Sequence, residues 1–166
     1  MSWIISSEQS FIPKNYEIIS NKLGIHFGFN DKKQLLKIGN GITIFIDGYI
    51  LPRLEYINDF KDYNDPLNLI KNLYNQHFNE FVNYVKGSFT VIILQNNKID
   101  IFNDYHAFNK FYYHHNEKLV LSSEQDLIVN SIKPQIRPEL IALYSIMEHF
   151  VEGYTLYNGV MYSMPA

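Results

Sequence analysis

The sequence predicts an α+β fold in which two antiparallel sheets are layered with helices, and three observations predict it. Phe89-Thr90-Val91-Ile92-Ile93-Leu94 is an almost unbroken apolar run rich in β-branched residues, the pattern of a strand covered on both faces. Short strand-like runs punctuated by turn residues lie both before and after it. Between these two meanders, apolar residues recur at spacings of three and four from Leu67 to Val85, which predicts a long amphipathic helix. A single sheet with helices on one face would leave the central run wet on the other side. Two layered sheets would cover it.

Composition narrows the classes. The chain has 166 residues, 46% of them hydrophobic, enough to bury about two-thirds of its unfolded surface in one core, so one domain over residues 1–166 is expected. Lys and Arg number 14 against 17 Asp and Glu, a net charge of −3. That balance leaves no footprint for nucleic acid or an anionic membrane. The chain has no cysteine, which removes disulfides, thiolate–zinc sites and thiol nucleophiles together. It has neither an apolar stretch near twenty residues nor a signal-peptide pattern, so a soluble cytoplasmic protein is expected.

Taken in order, Trp3-Ile4-Ile5 predicts an N-terminal strand tied into a sheet. Ser6 to Lys14 reads as a loop, and Tyr16 to Ile19 fits a short strand or a helical turn equally. Gly24 to Phe29 alternates, and Asn30-Asp31-Lys32-Lys33 predicts a hairpin into Gln34 to Ile38. Asn40-Gly41 is a second turn, leading to a strand over Ile42 to Ile46. Asn64-Asp65-Pro66 is a helix start, with an acidic N-cap and proline in the first turn; Gly87 is the expected stop. Phe89–Leu94, Ile99–Phe102 and Phe111–Tyr113 read as three consecutive strands, with Asn116-Glu117 turning the chain into Leu119–Leu121. Helices are expected over Gln125–Ser131 and from Pro138 to about Phe150, the latter with Leu140, Leu143, Tyr144 and Met147 on one face. Gly153 to Ala166 has turn residues and no stable period, and its abrupt end at Met164-Pro165-Ala166 suggests a piece of something longer.

Few constellations carry chemistry. The glycines form neither GxGxxG nor a Walker pattern, so ATP binding by these residues is not expected. The histidines His26, His77, His106, His114, His115 and His149 lack chelating spacings; His114 and His115 point to opposite faces of a strand. No metal site is expected. Ser2 is a candidate nucleophile: if Met1 is removed, its α-amine, with a pKa of about 7.7–8.0, becomes a general base for its own hydroxyl. The plainer reading is that Ser2 merely follows the start. Asp47, Asp65, Asp104 and Glu124 stand at element ends and read as turn and helix caps, Asp65 above all.

From Asp47 onward the order of motifs resembles the glutaminase domain of the asparagine synthetase family, the type-2, N-terminal nucleophile (Ntn) glutamine amidotransferases. Where the family's strand ends Asn-Gly-Glu-Ile-Tyr-Asn, this chain has Asp47-Gly48-Tyr49-Ile50-Leu51-Pro52; where Ser-Asp-Thr-Glu opens a helix, it has Asn64-Asp65-Pro66-Leu67. Leu-X-Gly-X-Phe-Ala-Phe is matched by Val85-Lys86-Gly87-Ser88-Phe89-Thr90-Val91. Ala-Arg-Asp-Arg-X-Gly-X-Lys-Pro-Leu-Tyr-Tyr is similar to the stretch Phe102 to Tyr113, and Phe-Ala-Ser-Glu to Leu121-Ser122-Ser123-Glu124. The tail Thr-Leu-Phe-X-Gly-Val-X-X-Leu-Pro fits Thr155 to Pro165. The resemblance implies an Ntn hydrolase-like, four-layer αββα sandwich of two stacked antiparallel sheets. It also implies a C-terminal ATP-pyrophosphatase synthetase domain as partner, with no cofactor in this domain. A homo-oligomer is compatible with it.

The departures fall on the chemistry. The family's nucleophile is a cysteine directly after the initiator Met; here Ser2 stands. Its Arg-Gly-Pro-Asp loop has no match between Ser6 and Asn40, and the Asn and Glu of Asn-Gly-Glu are Asp47 and Tyr49. Of the substrate-binding positions only Gly48 and Asp65 match, Asp65 where the family's aspartate binds the substrate amine. A serine hydroxyl is far less acidic than a thiol, and one lost oxyanion donor alone costs about 10²–10³ in rate. The expectation is a glutaminase-like domain without glutaminase activity. Relatives that lost the cysteine, such as β-lactam synthetases and lasso-peptide cyclases, keep the domain as a scaffold while a second domain adenylates a carboxylate. The parent protein is then an ATP-dependent amide ligase, and the aromatic tail Tyr154, Leu156, Tyr157 and Tyr162 is either a docking edge or ordinary local packing. The alternatives are a hydrolase using Ser2 on another substrate and a free-standing regulatory or binding module.

Overall fold

The computed structural model describes residues 2–31, 35–38, 41–56, 65–147 and 153–163, which form two compact units. His149, Asn40, Asn64 and the terminal Met164-Pro165-Ala166, on which sequence expectations rested, lie outside the described residues.

The first unit combines the N-terminal segment with the chain from Lys110 onward. Its strands are β1 (Trp3–Ser6), β2 (Glu17–Ser20), β3 (His26–Phe29), β8 (Tyr112–His115), β9 (Leu119–Ser122) and β10 (Met161–Tyr162), in the order β10-β8-β9-β1-β3-β2. Every pairing is antiparallel. As its apolar start predicts, β1 is interior to the sheet, hydrogen-bonded to β9 on one side and β3 on the other, with Trp3, Ile4 and Ile5 buried. Helix α2 (Gln125–Ile132) turns Ile128 into a core with Ile4, Ile12, Val120 and Val160. Gly28 faces Ile4 in the β1–β3 register, and a β-carbon there would collide with the Ile12 side chain. Helix α3 (Pro138–Met147) contributes Leu140, which is buried; the other three residues expected on its face have no described side chains.

The second unit holds the sheet β4-β5-β6-β7, built from β4 (Leu35–Ile38), β5 (Ile42–Pro52), β6 (Val85–Gln95) and β7 (Lys98–Asn103). The β5–β6 ladder runs unbroken from Thr43–Leu94 to Pro52–Val85. Helix α1 (Pro66–His77) lays Leu69, Ile70, Leu73 and Tyr74 into a core with Ile44, Ile46, Ile50, Val91 and Ile93. On the opposite parity Phe45 and Ile92 are also fully buried, so the central strand is covered on both faces as its composition requires.

Four local expectations are corrected. The long helix ends at His77: Phe78 adopts φ 48°, and a 3-10 helix, Phe78–Tyr84, completes the segment. Spacing of three suits both helix types, so Phe81 remains buried and Tyr84 stacks on His77 at 4.0 Å. Gly87 is no helix stop but a strand residue paired with Ile50. The expected hairpin after Phe29 does not form, because β3 pairs with β1 and β2 whereas β4 pairs with β5. The expected three-strand succession is likewise split: β7 pairs with β6, and β8 with β9 and β10. The Tyr16–Ile19 ambiguity resolves as strand β2.

Candidate functional site

The candidate nucleophile Ser2 sits one step beyond the last pairs of two adjacent ladders. Trp3 opposes Phe29 in the β1–β3 register and Glu17 opposes Phe29 in the β2–β3 register. Extending both by one residue aligns Ser2, Asn30 and Tyr16 in a row. Their side chains meet there. The Ser2 backbone N–H donates to Asn30 Oδ1 at 3.0 Å, and Asn30 Nδ2 donates back to Ser2 Oγ at 2.9 Å. Ser2 Oγ also shares a hydrogen bond with the Tyr16 hydroxyl. The Asn30 N–H donates to the Ser2 carbonyl at 3.3 Å. Ser2 is buried, at 4% exposure.

Chemically, this row holds the hydroxyl of Ser2 between an amide and a phenol, neither of which is a strong base near neutral pH. With Met1 attached, the Ser2 nitrogen is a peptide amide and carries no basicity. The residues around Ser2 were not legible as a site in the sequence, because Asn30 read as a turn residue and Tyr16 as part of an undecided segment. The cross-strand register is the signal that joins them.

The other two site candidates lie in the second unit. Gly48, in β5, has φ 103°, and a β-carbon there would collide with the carbonyl oxygen of Ser88 on β6. The backbone therefore requires glycine at this position whatever else the residue does. Asp65 is the N-cap of α1: its Oδ1 accepts from the N–H groups of Leu67 at 3.0 Å and Asn68 at 3.3 Å, and its Oδ2 accepts from Asn68 Nδ2 at 2.6 Å. The capping role expected of Asp65 is present.

Asp104, one of the carboxylates at element ends, does more than end a strand. It is 5% exposed and accepts from four backbone N–H groups, those of Phe89, His106, Phe108 and Asn109, at 3.1–3.3 Å. Asn109 Nδ2 in turn donates to the Asp47 carbonyl at 2.8 Å. This carboxylate fixes the loop from Asp104 to Asn109. Beside the loop lies a cavity of about 650 Å³ within the second unit, lined among others by Arg53, Val82, Val85, Tyr105 and His106. Neither Gly48 nor Asp65 lines it.

Two other histidines, His26 and His114, have ordinary partners. His26 Nδ1 pairs with Ser20 Oγ at 2.7 Å across the β2–β3 register, and His114 Nδ1 with the Gly159 carbonyl at 2.9 Å. Among the described residues no group of three or more His, Cys, Asp or Glu is placed to hold a metal ion, and no helix is long and apolar enough to cross a membrane. In the aromatic tail, Tyr157 packs on the core of the first unit and Tyr162 lies under the Lys110 ammonium at 4.7 Å. Tyr154 bridges to Met161 and is 37% exposed.

No protein-family model matches the sequence, and no curated protein matches it. Solved structures do. One is glutamine phosphoribosylpyrophosphate (PRPP) amidotransferase from B. subtilis, complexed with ADP and GMP, which superposes with a TM-score of 0.52 at 10% sequence identity. The match covers 83% of this chain and 46% of that one, so the chain spans about half the length of the protein it resembles. At this identity the likeness speaks to the fold alone: a mixed α/β chain with two antiparallel sheets, similar to that amidotransferase.

Proposed function

We propose that the chain is a degenerate type-2 glutamine amidotransferase domain that does not hydrolyse glutamine. In this reading it has the αββα fold class of that family, and it serves as the scaffold of a cytoplasmic, asparagine synthetase-like amide-forming protein. Its partner is a C-terminal ATP-pyrophosphatase synthetase domain. The observation that carries the reading is the environment of Ser2. A hydroxyl stands where the family has a thiol, and Asn30 engages both that hydroxyl and the backbone nitrogen. Gly48 and Asp65, the two positions that match the family's substrate contacts, each have a backbone or capping role of their own. The structural likeness to an amidotransferase supports the fold on which the reading rests.

The test is ammonia release from glutamine by the purified protein and by Ser2→Ala. Both are expected to stay at the rate of the buffer blank. Release by the wild type that Ser2→Ala abolishes would overturn the proposal.

A second reading, Ser2 as nucleophile toward a different substrate, draws on the hydrogen bond between its hydroxyl and that of Tyr16. It requires a free α-amine at Ser2. An intact mass that retains Met1 ends it.

A further inference from the structure

The cavity in the second unit has the features of a binding site, none of which the proposed scaffold role uses. Its volume, about 650 Å³, is in the range of small-molecule sites. Val82, Val85 and Phe89 supply apolar wall. Arg53 is pinned at two points: its backbone N–H donates to the Tyr84 carbonyl at 2.9 Å, and its Nε donates to the Val85 carbonyl at 3.3 Å. The two terminal amino groups of its guanidinium make no hydrogen bond or ion pair among the described residues, and they form the planar fork that carboxylates match.

A second part of the lining is equally fixed. Tyr105 and His106 meet edge to face at 5.1 Å, and Tyr105 is 69% exposed. Exposed rings on a surface loop are ordinarily mobile. Here the buried Asp104 carboxylate holds the N–H groups of His106, Phe108 and Asn109, so the rings are presented on a rigid frame. That arrangement lowers the entropy cost of closing on a ligand. The lining carries Arg53 and Lys86 beside Glu55 and Asp104, and the Asp104 oxygens are taken up by four amides. The Arg53 fork is the donor left to meet an anion.

We propose that this cavity binds a small aromatic carboxylate, with Arg53 taking the carboxylate and Tyr105 and His106 the ring. The probe is 3-phenylpropionate, titrated calorimetrically against the protein beside its neutral amide, 3-phenylpropionamide, and beside acetate, which lacks the ring. The acid is expected to bind at least about tenfold more tightly than either control, as loss of a charge-assisted pair or of a ring contact implies. Arg53→Gln should erase the preference for acid over amide, Arg53→Lys should restore part of it, and His106→Ala should weaken the acid without changing that preference. Amide NMR shifts on binding should centre on Val85, Phe89 and His106 and leave Trp3 and Phe27 unmoved. Equal binding of acid and amide, equal binding of acid and acetate, no binding at all, or a folded Arg53→Gln protein with unchanged selectivity would each overturn the proposal.

Discussion

Gly48 of β5 and Gly87 of β6 stand on either side of the Tyr49–Ser88 pair, and each lacks the β-carbon that would strike the other strand. A side chain at Gly48 would collide with the Ser88 carbonyl oxygen, and one at Gly87 with that of Tyr49. Both residues have positive φ, 103° and 144°. Two glycines far apart in the chain are thus one feature of a single ladder.

Substitution should show this reciprocity. Gly48→Ala and Gly87→Ala are each expected to destabilise the protein by about 3 kcal/mol or more, since a strained φ and a backbone clash combine. Gly24 also has positive φ, 73°, but a β-carbon there meets nothing within 4 Å, so Gly24→Ala should cost only about 1–2 kcal/mol. Urea denaturation of the three variants gives the comparison; equal losses at all three would contradict the clash.

The Asp104 carboxylate should be worth more than any surface charge. Asp104→Ala leaves four backbone donors without their acceptor, and a loss of about 2–4 kcal/mol is expected. Hydrogen exchange reads it locally, because the amides of His106, Phe108 and Asn109 should lose protection before those of β9 (Leu119–Ser122) do.

At Asp65 the expected effect is smaller and chemically specific. Asp65→Ala should cost about 1 kcal/mol through loss of the N-cap of α1, whereas Asp65→Ser should restore most of it. Thermal unfolding of the two variants decides; if serine is no better than alanine, capping is not what the carboxylate contributes.

Tyr74 gives the protein an alkaline limit. Its hydroxyl donates to Asp100 Oδ2 at 3.2 Å and accepts from Gln95 Nε2 at 2.6 Å. Burial first, then the Asp100 charge and the hydrogen bond to it, push the phenol up to about 12, with Gln95 opposing. The unfolded chain releases this proton near the ordinary value of 10.0. The contribution is therefore whole below about pH 10 and is lost as pH rises towards about 12. Between those limits the wild type should lose about 1–3 kcal/mol more stability than Tyr74→Phe. Denaturant melts at pH 9 and pH 11.5 test it, and parallel slopes for the two proteins would refute the assignment.

How much was legible depended on the range of the interaction. The β1 strand, the doubly covered run Phe89–Leu94, the start of α1 at Asp65-Pro66 and helix α2 could all be read from residues within a few positions of one another. The break at Phe78 could not, because a spacing of three serves an α-helix and a 3-10 helix alike. Nor could the cavity beside Arg53, whose walls come from segments that only the sheet brings together.

The sequence by itself determined most of the strands, the starts of α1 and α2, which faces are apolar, and that a hydroxyl occupies the second position. Those properties follow from side-chain period, β-branching and turn chemistry, all of them local. Only the tertiary structure decided which sheet each strand joined. It alone set Ser2 against Asn30, 28 positions away, and gave one carboxylate, Asp104, a whole loop to hold. Strand partners are selected by register between distant segments, and register is a property of the assembled sheet that no short window of residues contains.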